Sequence, residues 1–114
     1  KEMIKNAQKI NNMSVIVKTY ENKTMNYINK IANKISERDD MVALFALINN
    51  DKLNLLFACS KNLEQLDMNN LLKDSIKLVD GKGGGSKVLA QGGGKNNGNL
   101  DSLFDYVKMK LKSN

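Results

Sequence analysis

The sequence predicts an α/β (α+β) fold, with a single mixed sheet of about four strands and helices packed on it. Apolar residues recur every three or four positions in some segments, as in amphipathic helices. Other segments are short runs of β-branched, aromatic or continuously apolar residues, as in strands. The two kinds of segment alternate along 114 residues, the usual length of one domain. The predicted order of elements is α-β-α-β-β-α-loop-β-α.

Composition indicates a basic globular protein. The hydrophobic fraction is 41% and the charged fraction is 26%, as in ordinary globular domains. No apolar run approaches the roughly 20 residues of a membrane helix, so no membrane partner is expected. The net charge of +6 is carried almost entirely by lysine. Such a surface suits nucleic acid, because phosphate contacts supply sequence-independent affinity, but lysines also serve solubility alone. Composition leaves both interpretations open.

Two residue types limit the chemistry of the chain. It has no histidine, which excludes histidine-based triads and zinc sites with histidine ligands. The single cysteine, Cys59, follows an apolar segment and is predicted to be a buried, inert thiol in a reducing, cytoplasmic environment. The pair Asp39-Asp40 is interpreted as a turn, because octahedral metals need more oxygen ligands. We therefore predict no catalytic residue and no metal site.

The amino end is predicted to be helical. Lys1 to Ile10 carries apolar residues three and four apart, and residues 1–12 are interpreted as the end of a helical spacer in a larger protein. Ser14 to Tyr20 is predicted to be a strand, and a helix capped by Asn22 or Thr24 then runs to about Ser36. The face of that helix opposite its apolar side is either solvated or lies along a phosphate backbone. It carries Lys23, Asn26, Lys30, Asn33 and Lys34.

The middle of the chain predicts a hairpin of central strands. Met41 to Ile48 and Leu53 to Cys59 are nearly continuous apolar runs around an Asn/Asp turn, as in strands covered on both faces. A helix opened by Asn69 or Asn70 follows, and Gly81 lies where a left-handed C-cap is expected. The last helix, capped by Asn99, has an apolar stripe at helical spacing. The stripe is Leu100, Leu103, Phe104, Val107 and Leu111.

Glycine is confined to one stretch. All eight glycines lie between Gly81 and Gly98, together with three lysines and no acid. Bare backbone approaches ligands closely, and successive N–H groups beside lysines form an anion-binding concavity. We therefore expect residues 81–98 to form a phosphate-contacting loop with one short strand from Lys87 to Ala90. A flexible linker is the alternative. The residue order fits neither a P-loop nor a dinucleotide-binding fingerprint.

This stretch resembles a signature of alanyl-tRNA synthetases. Near the C-terminus of that family, a glycine run, a basic residue and a short apolar stretch precede Ala-Gln-Gly-Gly, which here reads Ala90-Gln91-Gly92-Gly93. The similarity runs from about Ser14 to the end of the chain and indicates the C-terminal, DHH-associated-type domain. Where the family often has Arg-Pro-Asp, this chain has Lys87-Val88-Leu89. DHH phosphoesterases share the module, but Ser86 replaces the histidine of their Gly-Gly-Gly-His motif, which argues against that branch.

The resemblance implies a tRNA-binding domain over residues 13–114, without catalytic activity of its own. In the family it contacts the outer corner of tRNA, supports aminoacylation and editing, and takes part in dimerisation. The implied partners are alanine-specific tRNA, the other domains of the synthetase and a second copy of the chain. ATP, magnesium and zinc would belong to the parent enzyme, and no cofactor to this chain. The expected RNA-binding residues are Lys82, Gly83, Gly84, Gly85, Ser86, Lys87, Gln91, Gly92, Gly93, Gly94 and Lys95.

Three hypotheses therefore stand. The first is a tRNA-binding module, with Tyr20, Tyr27 and Tyr106 as candidates for stacking on bases. The second is the substrate-binding domain of a DHH-type nucleotide phosphoesterase, and the third is an oligomerisation module built on the amino-terminal helix. The first predicts salt-sensitive tRNA binding that weakens when Lys82 and Lys87 become alanine.

Overall fold

A six-stranded mixed sheet organises the chain, with strand order β1-β2-β3-β4-β6-β5. The computed structural model describes residues 7–113. The strands are β1 (Gln8–Ile10), β2 (Met13–Glu21), β3 (Met41–Asn49), β4 (Lys52–Cys59), β5 (Lys82–Gly85) and β6 (Leu89–Lys95). The helices are α1 (Met25–Ser36), α2 (Met68–Ser75), a 3₁₀ helix (Ile76–Val79) and α3 (Leu100–Ser113). β2 and β3 are parallel and all other neighbouring pairs are antiparallel, so the predicted mixed sheet is confirmed with six strands instead of four.

The predicted amino-terminal helix is wrong where the structure describes it. Gln8–Ile10 form β1, which pairs with β2, while Lys1 to Asn6 lie outside the described residues. Asn11 and Asn12 have φ of 49° and 68°, the left-handed values that a two-residue hairpin turn requires and that asparagine tolerates. The amide of Asn11 also donates to the carbonyls of Leu111 and Lys112 at the end of α3. The asparagine pair therefore turns the chain back into the sheet.

Two apolar layers cover the two faces of the sheet. α1 packs on one face through Ile28, Ala32 and Ile35, against a buried cluster that includes Phe45 and Leu56. α2, the 3₁₀ helix and α3 cover the other face, where side chains of β2, β3 and β4 form the larger cluster. β3 and β4 contribute to both clusters, so the predicted central hairpin is confirmed. Among the described residues, no helix has the length and apolar character needed to cross a membrane.

Capping residues define the ends of the helices, and in two places they differ from the prediction. Thr24 caps α1 as expected, because its hydroxyl accepts from the N–H of Tyr27 at 3.1 Å. For α2 the cap is Asp67, whose carboxylate accepts from the N–H of Asn70 at 3.1 Å, so the helix begins earlier than Asn69. The left-handed residue at the end of the 3₁₀ helix is Asp80, with φ of 52°, instead of Gly81. The buried stripe of α3 is confirmed in Leu103, Phe104, Val107 and Leu111, with Leu100 partly buried.

Candidate nucleic-acid interface

The glycine-rich stretch is a β-hairpin, so the predicted loop over residues 81–98 is wrong. Gly83, Gly84 and Gly85 belong to β5, the edge strand, and Gly92, Gly93 and Gly94 belong to β6. β6 then pairs with β4, which joins the hairpin to the centre of the sheet. The predicted short strand from Lys87 to Ala90 begins instead at Leu89, because Ser86, Lys87 and Val88 form the hairpin turn.

Most of these glycines are required by the contact between neighbouring backbones. A Cβ on Gly83 would lie 2.5 Å from the Cα of Gly92, and one on Gly85 would lie 2.3 Å from the carbonyl oxygen of Leu89. A Cβ on Gly94 would lie 2.7 Å from both a side-chain carbon and the carbonyl oxygen of Val79. Separations this short between non-bonded atoms are repulsive, so the hairpin closes against itself and the 3₁₀ helix only without these side chains. Glycine here permits strand packing.

The turn of the hairpin is tied down by its own polar groups. The hydroxyl of Ser86 accepts from the N–H groups of Val88 and Leu89 at 3.3 and 3.2 Å. The carbonyl of Lys87 accepts from the N–H of Met68 at 2.9 Å and from the thiol of Cys59 at 3.7 Å. Ser86 therefore stabilises the turn, at the position where the phosphoesterase motif has histidine.

One part of the sheet presents polar residues to solvent, and we call it the open face. It lies on the α1 side of β4 and β6, because its residues alternate with those that form the opposite core. The pairing places Lys52 opposite Lys95, Asn54 opposite Gly93, and Leu56 opposite Gln91. Leu56 is buried, whereas Gln91, Gly93 and both lysines are exposed and Asn54 is partly exposed. The open face comprises Lys52, Asn54, Gln91, Gly93 and Lys95.

The predicted site residues divide between this face and other places. Gln91, Gly93 and Lys95 lie on the open face, and Lys82 pairs with Gly93 from the edge strand. Lys87 lies at the turn, and the five-residue separation from Lys82 spans about 17 Å of extended chain. Two of the predicted RNA-binding lysines therefore lie at opposite ends of β5, with Lys87 at the turn and Lys82 at the other end. Sequence reasoning missed Lys52 and Asn54, because only the register between β4 and β6 reveals them.

The three tyrosines are not equivalent. Tyr20 is only 5% exposed and packs edge-on against Phe45 and Tyr27, so it has no free ring face for a base. Burial, followed by the nearby Tyr27, raises the pKa of Tyr20 to about 12. Tyr27 is 45% exposed on α1, with the ammonium of Lys23 lying 4.9 Å from its ring centroid. Tyr106 is partly buried on α3, in the layer on the other side of the sheet. Tyr20 and Tyr27 therefore contact each other, whereas Tyr106 lies on the other side of the sheet, so the three predicted stacking residues do not form one surface.

The cysteine and the acidic pair have structural environments. Cys59 is buried, as predicted, and burial followed by the nearby Asp67 raises the pKa of its thiol to about 11. Asp40 has φ of 61° and exchanges two hydrogen bonds with Asn62, as a turn residue does. Within residues 7–113, no three cysteine or acidic side chains lie together as a metal would require.

Comparison with known proteins identifies the family. The DHHA1 domain model matches residues 12–113. The alanine–tRNA ligase of Methylacidiphilum infernorum (isolate V4) is 35% identical over 103 residues, which are 90% of this chain and 11% of that protein. The alanine–tRNA ligase of Francisella philomiragia subsp. philomiragia is 35% identical over 86 residues, 75% of this chain and 10% of the relative. The chain thus spans about a tenth of the length of these curated relatives.

The fold has a solved counterpart. The crystal structure of the C-Ala domain from Aquifex aeolicus alanyl-tRNA synthetase matches with a TM-score of 0.87 at 21% sequence identity. The match covers 94% of this chain and 98% of that chain, which confirms the predicted mixed α+β architecture. With its sequence matched to the family model over nearly its whole length, the chain belongs to the DHHA1 domain family and has alanine–tRNA ligases among its homologues.

Proposed function

We propose that this chain is the tRNA-binding C-terminal domain of an alanine–tRNA ligase and that its open face contacts the RNA. The observation that carries the proposal is the pairing of Lys52 with Lys95 on adjacent strands. Side chains directly opposite on one face have Cβ atoms about 5 Å apart, and like charges in that arrangement destabilise a sheet. A polyanion bound beside the pair attracts both lysines and so offsets the repulsion between them.

The rest of the open face supports a nucleic-acid partner. Gln91 and Asn54 offer amide donors and acceptors that suit 2′-hydroxyl and base-edge contacts. Gly93 carries no side chain, so a ribose or phosphate can approach the sheet backbone there. No acidic residue interrupts residues 81–98, which keeps the hairpin free of local repulsion towards phosphate.

The wider role is that of a domain serving a larger enzyme. By the family resemblance, the domain holds the elbow of alanine-specific tRNA in support of aminoacylation and editing, without a catalytic group of its own. Its partners would be the tRNA, the other domains of the parent enzyme and a second copy of the chain, all in the cytoplasm. By the same resemblance, ATP, magnesium and zinc would belong to those other domains.

The test is tRNA binding by a variant of the open face. Lys52→Gln/Lys95→Gln removes two phosphate-facing charges at exposed positions, so the folded structure is expected to persist. We expect the salt dependence of log K to become shallower by about 2 and the affinity at low salt to fall at least about tenfold. Filter binding of an alanine tRNA over a series of salt concentrations measures both quantities.

The matched control lies on α1. Lys30→Gln/Lys34→Gln removes the same charge from two exposed residues on a helix that covers a different part of the sheet. We expect this variant to lose much less affinity. An equal or larger loss would move the RNA to the basic face of α1 and contradict the assignment to the open face.

The phosphoesterase alternative has no support from the geometry of the turn. The Ser86 hydroxyl, at the position of the histidine in the phosphoesterase motif, accepts hydrogen bonds from the backbone N–H groups of Val88 and Leu89.

A further inference from the structure

We propose that a phosphate group binds in a shallow concavity at the outer edge of the sheet, where α2 and the 3₁₀ helix meet β5. We call it the edge concavity and define its ligands as the ammonium groups of Lys73, Lys77 and Lys82 together with the N–H of Gly83. It has a volume of about 350 Å³, and Asp74, Ile76 and Gly81 complete its lining. The inference deepens the proposed function, because it adds a phosphate contact next to the open face. The residues that form the edge concavity are different from those of the open face.

The three lysines line the edge concavity from two separate parts of the fold. Lys73 and Lys77 lie four residues apart in consecutive turns, and therefore on one side of the helical segment, while Lys82 begins the edge strand. The side chain of Lys73 reaches across to β5, because its Cε would be 3.1 Å and its Nζ 3.9 Å from a Cβ on Gly84. Glycine at position 84 thus leaves room for the lysine.

The hydrogen-bond pattern of β5 leaves one N–H directed outward and open. In an antiparallel pair, successive residues point their N–H groups alternately towards the partner strand and away from it. The N–H of Ser86 donates towards β6, to Leu89, whereas those of Gly81 and Gly85 donate away from it, to Ile76 and the side chain of Asn69. By this alternation the N–H of Gly83 also points away from β6, and it has no acceptor among the described residues.

Positive charge exceeds negative charge in the lining of the edge concavity, where three lysines face one aspartate. Asp74 contributes to the lining, but no ion pair joins it or any other described acid to the three lysines. Three ammonium groups around one concavity create a positive potential that favours an anion. An open backbone N–H in the same place adds a directed, charge-assisted hydrogen bond of the kind that phosphate oxygens accept.

Two kinds of ligand carry the phosphate group that this site would bind: the backbone of RNA, and a free phosphate or nucleotide. RNA is favoured by position, since Lys82 of the edge concavity pairs directly with Gly93 of the open face. A strand of RNA lying on the open face and passing over the edge strand would bring a phosphate to Gly83. The two sources are separated by titrating inorganic phosphate and an alanine tRNA in parallel.

The experiment follows the Gly83 amide resonance in the ¹⁵N-labelled 114-residue chain. Inorganic phosphate is added at constant ionic strength against a chloride reference, so that simple screening is the same in both series. We expect a saturable shift of the Gly83 resonance in the unmodified chain, at least a fivefold smaller shift in Lys73→Gln/Lys77→Gln, and an unchanged shift in Lys30→Gln/Lys34→Gln. Both variants neutralise two lysines four residues apart, and spectra of both report whether the fold is intact.

Each result decides a separate point. No Gly83 shift in the unmodified chain, or an equal shift in the Lys73/Lys77 variant, overturns the edge concavity as a phosphate site. A Gly83 shift with inorganic phosphate but none with tRNA supports the site and assigns it to free phosphate. Unchanged tRNA affinity of the Lys73/Lys77 variant beside weakened affinity of the Lys52/Lys95 variant overturns the RNA contact at Gly83 and leaves the proposed function standing.

Discussion

Replacing Gly92 with alanine is expected to lower the free energy of unfolding by about 3 kcal/mol, the range of severe overpacking. A Cβ at this position would lie 2.6 Å from the carbonyl oxygen of Lys82 and 2.8 Å from the Cα of Gly83. Both atoms belong to the backbone of β5, which cannot move without breaking its pairing with β6. The Cδ1 of Ile76, at 2.7 Å, closes the third side. Urea unfolding followed by far-UV circular dichroism measures the change.

The neighbouring glycine provides the control for that substitution. A Cβ on Gly93 would meet only the side-chain oxygen of Asn54 at 3.2 Å and the carbonyl of Leu53 at 3.7 Å. We expect Gly93→Ala to change stability by less than about 1 kcal/mol, since the lost backbone freedom of glycine offsets a small side-chain adjustment. Equal destabilisation by the two substitutions would refute the argument that glycine is needed here for strand contact. That result would favour backbone flexibility as the reason for glycine at these positions.

Elements with complete local signals could be predicted from the sequence. α1 has an apolar stripe at helical spacing and a Thr24 cap, and both are local in the chain. β3 and β4 are continuous apolar runs around an Asn/Asp turn, and their burial on both faces follows from that composition. α3 combines an apolar stripe with aspartate early and lysines late, as the helix dipole favours. In these cases tertiary packing agreed with the local pattern.

The glycine hairpin could not be predicted by the same reasoning. A strand is normally recognised by its side chains, and β5 reads Lys-Gly-Gly-Gly, which has almost none. Its strand character comes from the backbone of β6 and from the 3₁₀ helix packed behind it, neither of which is encoded locally. Similarly, Ile10 ends a helical spacing of apolar residues that begins at Met3. Pairing with β2 and the left-handed Asn11-Asn12 turn override that pattern.

The candidate site was predicted in part. Gln91, Gly93 and Lys95 were found because the glycine signature marks them, and the structure places all three on the open face. Lys52 lies 43 positions away from Lys95 in the sequence and is opposite it only through the β4–β6 register. Lys73 and Lys77 belong to no motif in the sequence, and only the fold sets them in the same concavity as Gly83. Long-range pairing of ordinary lysines leaves no signal in a single sequence.

The thiol of Cys59 is expected to react with iodoacetamide about 100-fold more slowly in the folded chain than in the unfolded chain at about pH 8, from ionisation alone. The thiolate is the reactive form, and burial followed by Asp67 raises the pKa from 9.0 to about 11, which lowers the thiolate population by that factor. Alkylation is followed by mass spectrometry with and without concentrated urea. A folded rate close to the unfolded rate would show that the thiol is accessible and ionised normally.

The same raised pKa gives an independent readout in alkaline solution. Below pH 9 both states keep the thiol protonated, so Cys59 adds no pH dependence to stability. From about pH 9 to 11 the unfolded chain loses this proton first, and the free energy of unfolding therefore falls as pH rises. Tyr20, with a pKa of about 12 in place of 10.0, acts in the same direction from pH 10 upward.

Cys59→Ala is expected to remove the part of the decline in unfolding free energy that begins near pH 9 and to keep the part that begins near pH 10. A decline that begins at the same pH in both chains would mean that the thiol ionises equally in the folded and unfolded states, against the burial that holds Cys59 beside the Lys87 carbonyl.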